Sequence, residues 1–170
     1  GVTAENVERI ELTAPPIIPR LVGRPLQPGM SVNYARLCFQ FSGAVALQHG
    51  QVGLEDFSSE RFEDPATQAL GARIHIVDDG SGLPAAFTPQ TAVAILKDGQ
   101  TVEARIDQLY GSIEDPMSHE EHLDKFYRCV AFGYDGAQLE RASRLIDLTE
   151  NLETVEDVSV FSRLAAGMET

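Results

Sequence analysis

A chain of 170 residues is long enough for one domain with a real core, and its 43% apolar and 23% charged residues are ordinary for a globular protein, so disorder is not the expectation. Thirteen basic against 26 acidic residues leave a net charge of −13, a field that repels phosphate backbones and argues against a nucleic-acid partner. No run of 18 apolar residues is present to span a membrane, and GVTAENVERIEL at the start has neither the basic end nor the apolar stretch of a signal peptide. Gly1 in place of Met reads as a cleavage scar or a domain cut from something longer.

Val7 to Thr13 alternates, with Ile10 and Leu12 on one face, and is predicted to be a strand. Pro15, Pro16, Pro19, Pro25 and Pro28 then predict a long irregular connection. A helix is expected from Val32 to Gln48, ending near Gly50. Gly53 to Phe57 reads as a helical turn. Asp64-Pro65 starts another helix, because Asp can cap free backbone amides and Pro fits the first turn; it runs to about Ala72.

Arg73 to Asp78 is a second strand with Ile74 and Ile76 inward, followed by a Gly-, Ser- and Pro-rich loop to about Pro89. Thr91 to Lys97 and Gln100 to Asp107 form a hairpin about Asp98-Gly99. A two-residue loop pairs Ile95 with Val102 and Val93 with Ala104, leaving Glu103 and Arg105 on the other face. Ser118-His119-Glu120-Glu121 is a capping box opening a helix to Gly133. Helices over Gly136 to Leu148 and Thr154 to Ala166 complete the chain. Four mostly antiparallel strands covered by five or six helices define an α+β class, because strands and helices do not alternate one for one.

Few motifs carry chemistry. His119 and His122 beside Glu120 and Glu121 lack zinc-protease spacing and supply too few ligands for a closed zinc site, so a solvated helix start is expected and no metal. His75 alternates with Ile74 and Ile76 and reads as structural. Asp78-Asp79-Gly80-Ser81-Gly82 lacks the closing glutamate of a calcium loop and reads as a turn. Cys38 and Cys129, both in apolar helical segments, are expected to be buried thiols of a reducing compartment. Cys38 has no neighbouring histidine to activate it.

The segment ARLCFQFSGAVAL, Ala35 to Leu47, is apolar on almost every side. With Arg36 at zero on a helical wheel, Gln40, Gly43 and Leu47 fall within about 40° of it. Leu37, Cys38, Phe41, Ala44 and Val45 form one broad apolar face, and Phe39 and Ala46 another. The helix therefore needs two neighbours. Arg36 in the polar seam is either a snorkelling surface residue or a carboxylate site, since a guanidinium fork suits a carboxylate.

ARLCFQFSGAVALQHG (35–50), Val52-Gly53-Leu54, Phe57 and LYGSIEDPMSHEEHLDKF (109–126) together resemble the small C-terminal domain of the MmgE/PrpD family. The Lys-Asp-Gly-Gln-Thr hairpin and the segment Asn151 to Val158 are similar as well, so the likeness covers Val7 to Leu164. That family includes 2-methylcitrate dehydratase, cis-aconitate decarboxylase and iminodisuccinate epimerase. The resemblance implies a single lid-type domain over residues 1–170, a missing N-terminal helical domain that carries most acid, base and substrate groups, and no cofactor. It further implies a small polycarboxylate substrate bound between the two domains, a homodimeric parent and a cytoplasmic setting. The second face of the Arg36–Gln48 helix would be covered by the absent domain and the substrate. Several relatives carry Ser-Phe-x-Tyr in this helix, with the tyrosine in the active site. Here Cys38-Phe39-Gln40-Phe41 stands there, and Phe41 has no hydroxyl to donate, so no catalytic residue is intact. Arg36, Gln40 and Cys38 remain as the substrate-binding candidates. The resemblance implies part of a lyase or isomerase, inactive alone. The alternatives are a non-catalytic binding module that keeps the lid fold, and a fragment that self-associates through a bare apolar surface.

Overall fold

A computed structural model describes residues 1–133 and 137–167, the side chains at 137 and 138 excepted. The chain gathers into two compact units, Gly1–Pro116 and Met117–Thr170.

The first unit contains strands β1 (Val7–Ala14), β2 (Ile74–Asp78), β3 (Gln90–Leu96) and β4 (Thr101–Ile106). Between β1 and β2 lie helices α1 (Ile17–Val22), α2 (Val32–Ala35), α3 (Phe39–His49), α4 (Ser59–Glu63) and α5 (Pro65–Gly71). The strands order β2-β1-β3-β4, with β1 parallel to β2 and antiparallel to β3, and β3 antiparallel to β4. The class is α+β and two of the three pairings are antiparallel, as expected; the parallel β1–β2 pair makes the sheet mixed. The cause is the helical excursion from α1 to α5, a crossover long enough to bring β2 back alongside β1 in the same direction.

The structure has more helices than expected: eight α-helices and a 3-10 turn among the described residues. One of the additions, α1, lies in the proline-rich connection. Its Pro19 occupies the third helical position, where a backbone N–H has no intrahelical partner to lose. Another arises because the helix expected over Val32 to Gln48 is broken. Arg36 caps α2, and Cys38 turns extended (φ −109°, ψ 97°) to bridge antiparallel to Gly23 before α3 starts. The third, α4, is capped by the Ser58 side chain, which accepts from the N–H of Arg61. Long-range pairing at Cys38 outweighs local helix propensity there.

The same helix also corrects the expectation about its covering. Phe41 and Val45 of α3 enter one buried cluster with Met30, Ala35, Cys38 and Phe62. Ala44 enters a second with Val7, Leu70 and Ile74, with Phe39 and Leu47 packed against it. The face through Phe41, Ala44 and Val45 is thus covered by this chain, and the second face only in part: Phe39 is half-buried and Ala46 is exposed. Gly71 of α5 comes so near α3 that a Cβ would lie 2.7 Å from Leu26 Cδ2 and 3.0 Å from the Gln40 carbonyl oxygen. A side chain there would force the Leu26 side chain to shift and would crowd the Gln40 carbonyl.

The hairpin also departs from its expected register. Ile95 pairs with Thr101, Ala94 with Val102, and Ala92 with Ala104, one residue from the two-residue-loop prediction. The loop has three residues: the Gly99 N–H donates to the Leu96 carbonyl at 2.9 Å, the Leu96 N–H to Gln100 at 2.8 Å, and Gly99 has φ +84°. This is a turn closed by a glycine bulge. Shifting by one residue exchanges faces. Ala94 and Leu96 are therefore buried and Ile95 is exposed.

The second unit comprises α6 (His119–Gly133), α7 (Ala137–Glu150), a 3-10 turn (Leu152–Thr154) and α8 (Ser159–Ala165). The Gly136 start expected for the middle helix lies outside the described residues. The capping box forms as read: Glu121 Oε2 accepts from the Ser118 N–H at 2.9 Å, and Ser118 Oγ accepts from the Glu121 N–H at 3.2 Å. The last helix starts later than Thr154, where Asp157 accepts from the Ser159 N–H at 3.0 Å. Hydrogen bonds from the Ser159 hydroxyl and N–H and from Arg163 hold the Asp157 carboxyl down at about 2. Among the described residues no helix is long and apolar enough to cross a membrane.

Candidate functional site

Arg36 sits at the break between α2 and α3. Its side chain is exposed, and its guanidinium carbon lies 5.9 Å from the ring centroid of Phe57. The neighbouring residues do not share that freedom. Gln40 Oε1 accepts from the Leu26 N–H at 2.9 Å, and Nε2 donates to the Ile74 carbonyl at 2.9 Å. The amide thus ties the 24–26 segment to α3 and β2. Cys38 is 1% exposed, and burial raises its thiol above the ordinary range, with N–H groups of Phe41 and Gln40 pulling weakly the other way. A neutral, enclosed thiol is a poor nucleophile. Of the three candidates, Arg36 has the available head group, while Gln40 and Cys38 are placed to hold its surroundings.

Phe41 is fully buried, edge-on to Phe62 with centroids 5.2 Å apart and tilted against Phe57 at 5.7 Å. The position is core in this chain. A hydroxyl there would need a partner in an apolar cluster.

Sequence reading missed Arg24. The bridge between Gly23 and Cys38 sets the 23–26 segment against the Arg36 turn, with the Arg24 N–H directed at the Leu37 carbonyl at 3.4 Å. The Arg24 guanidinium carbon lies 5.3 Å from the Tyr34 centroid. Tyr34 and Phe57 pack against the same buried cluster, so both arginines lie along its rim. No carboxylate pairs with Arg20, Arg24 or Arg36 among the described residues. A signal for this rim was present: in a chain with 26 acidic residues, not one lies between Leu12 and Leu54.

The remaining candidates separate cleanly. His119 Nε2 lies 2.9 Å from Glu150 Oε1, and both residues line a groove of about 510 Å³ between α6 and α7. His122, Leu123, Phe126 and Ile146 complete most of its wall. No group of three or more His, Cys, Asp or Glu residues that could hold a metal ion occurs among the described residues. Asp78 and Asp79 accept from the Gly80 and Ser81 N–H groups at 2.7 and 2.8 Å, the bonds of a plain turn. His75 is half-buried on β2. Cys129, expected to be buried, is exposed. It falls off the stripe formed by the half-buried Leu123, Phe126, Tyr127 and Val130 of α6.

Fold and site together define an α+β domain with a four-stranded mixed sheet and a cationic rim in an otherwise acidic protein. Within that class the chain belongs to the MmgE/PrpD family, matching the MmgE/PrpD C-terminal domain over residues 1–153. It is 30% identical over 165 residues to the cis-aconitate decarboxylase of Mus musculus, covering 96% of this chain and 32% of that protein. It is 28% identical over 164 residues to the cis-aconitate decarboxylase of Homo sapiens, covering 96% and 33%. The chain thus spans about a third of the length of these relatives.

Proposed function

We propose that this chain is the lid-type domain of a cofactor-independent lyase or isomerase acting on small di- or tricarboxylates, by dehydration, decarboxylation or epimerisation. The observation that carries the reading is the match of 96% of this chain to about a third of each of two decarboxylases, a stretch that takes in the Arg36 turn and α3.

The chemistry asked of such a domain is modest. A base removes a proton from the carbon next to a carboxylate, and the electron pair left behind expels water or carbon dioxide, or is re-protonated on the opposite face. The developing charge spreads onto carboxylate oxygens and is held by positioned cations. Arg36 supplies a guanidinium fork for one carboxylate. Gln40 and Cys38 fix the turn that presents it. The acid–base pair belongs to a helical domain outside these residues, so the 170-residue chain is inactive alone. A homodimeric parent and a cytoplasmic setting belong to the same proposal.

A second reading, a non-catalytic binding module, is favoured by one observation: Phe41, at the family's tyrosine position, is buried and lacks a hydroxyl. Assaying cis-aconitate and 2-methylcitrate with the full-length protein and with the 170-residue chain separates the two. Turnover by the former alone is expected. Turnover by the isolated chain would overturn the assignment of the acid–base pair, and none by either would leave the binding module.

A further inference from the structure

The geometry points to Arg24 as a second carboxylate-positioning residue beside Arg36, the two guanidinium groups forming one cradle for a di- or tricarboxylate. The inference rests on the substrate class proposed above and adds the residue that would read a second carboxylate.

Charge is the first argument. The other described cations of the first unit have oxygen partners. Arg9 meets Glu11 at 2.6 Å, Arg105 meets Asp107 at 2.8 Å, and Arg61 faces Asp56 at 3.7 Å. Arg73 donates to the Val7 carbonyl at 3.1 Å, and Lys97 donates to the Glu5 carbonyl. Among the described residues Arg20, Arg24 and Arg36 have no such partner, and all three fall inside the stretch from Leu12 to Leu54 that contains no acidic residue. Glu63, which reaches this segment from α4, is engaged with the Gly29 N–H at 2.6 Å. In a protein of net charge −13, an anionic substrate is repelled by the mean field and needs such a local positive site.

Rigidity is the second. Every residue from Gly23 to Leu26 is held: Gly23 by its N–H donated to the Pro19 carbonyl at 2.9 Å, Arg24 by its N–H directed at the Leu37 carbonyl in the bridge to Cys38, Pro25 by the Tyr34 hydroxyl donating to its carbonyl at 2.8 Å, and Leu26 by Gln40. The pinning fixes the backbone from which Arg24 extends, and Tyr34 supports its guanidinium as Phe57 supports that of Arg36. A cation held in place by a ring loses less freedom on binding than one waving in water.

The test is a titration of the chain with tricarballylate, followed by NMR of the arginine side-chain Nε–H signals, with acetate as the single-carboxylate control. The expected result is saturable shifts at Arg24 and Arg36, with R24Q and R36Q each weakening tricarballylate by about fivefold or more and acetate by about twofold or less. R24K, which keeps the charge and loses the fork, is expected in between. Arg24 is exposed, so R24Q is expected to unfold at the wild-type temperature. Tricarballylate binding equally well to R24Q and wild type, or no saturable shift in the wild type, would overturn the inference. Parallel turnover of cis-aconitate by the full-length protein separates the two claims. Activity with R24Q at an unchanged KM would remove Arg24 and leave the proposed function. No turnover of any polycarboxylate, with tricarballylate still seated on both arginines, would remove the proposed function and leave the cradle.

Discussion

The two units are built from equally regular helices yet bury very different amounts of them. In the first, α3 alone places Phe41, Ala44 and Val45 out of solvent, between two clusters that also draw on β1, β2, α4 and α5. In the second, α6 is twice the length of α5 and has no buried residue, and the unit's buried apolar residues among those described are Ala142 and Leu164. Its order comes from caps and exposed pairs: the Ser118–Glu121 box, Tyr127 with Ser143 at 3.0 Å, and Arg128 with Asp124 at 2.8 Å. Exposed pairs contribute a fraction of a kcal/mol each. Amphipathic periodicity therefore tells which face of a helix wants cover, and not how much cover the chain provides.

The largest expected effect follows directly. Phe41→Ala removes a ring packed on Phe57 and Phe62 and should cost about 3–5 kcal/mol. Phe126→Ala, on the half-buried stripe of α6, should cost about 1 kcal/mol, in keeping with its partial burial. Hydrogen exchange read by mass spectrometry reports each unit separately. Similar losses of protection from the two variants would break the contrast.

Much of the first unit was legible, and the failures have identifiable causes. Alternation located β1 and β2, the Asp64 cap located α5, and Ser118 located α6, because each signal is local and the structure uses it as written. The hairpin was found but misregistered: Asp-Gly is compatible with two loop lengths, and the choice rests on Asp98, which lacks the positive φ that a two-residue loop needs there as well as at Gly99. The break at Arg36–Cys38 was invisible because its cause, Gly23, lies far away in sequence. Of the site, Arg36 could be singled out by its place in an apolar segment. Arg24 could not, since only the bridge sets it beside the Arg36 turn, although the missing acidic residues marked the region. That the chain itself covers the Phe39 side of α3 in part, leaving Ala46 exposed, also escaped periodicity, which sees faces and not neighbours.

Gln40 ranks next in expected size, and it sharpens the division of labour at the site. Gln40→Ala strands the Leu26 N–H and the Ile74 carbonyl, and should destabilise the first unit by about 1–3 kcal/mol. Its effect on ligand binding should scale with loosening of the 24–26 segment. Amide exchange at Leu26 should therefore quicken more than at Ala44, which sits deep in α3. Tighter protection at Leu26 in the variant would contradict the anchoring role.

The smallest effects compare a cap in each unit. Asp64 Oδ2 accepts from the Thr67 N–H at 2.8 Å and the Thr67 hydroxyl at 2.6 Å, and Thr67 is fully buried. Asp64→Ala should cost about 1–2 kcal/mol, and Ser118→Ala, at an exposed helix start, about 0.5–1 kcal/mol. The Asp64 carboxyl is held below its ordinary value of 3.8, first by the Thr67 hydroxyl and then by the Thr67 N–H. A carboxyl whose folded value is depressed stabilises the native state above the unfolded value, and that contribution fades as pH falls through the folded value. The penalty of Asp64→Ala should therefore be full at neutral pH and shrink on acidification below about pH 4. Asp64→Asn keeps a capping oxygen without a titrating group, so it should retain most of the stability and lose this pH dependence. Urea midpoints measured at pH 7 and pH 3 decide the matter. An Asp64→Ala penalty unchanged between them would show that the carboxyl's charge has no part in capping α5.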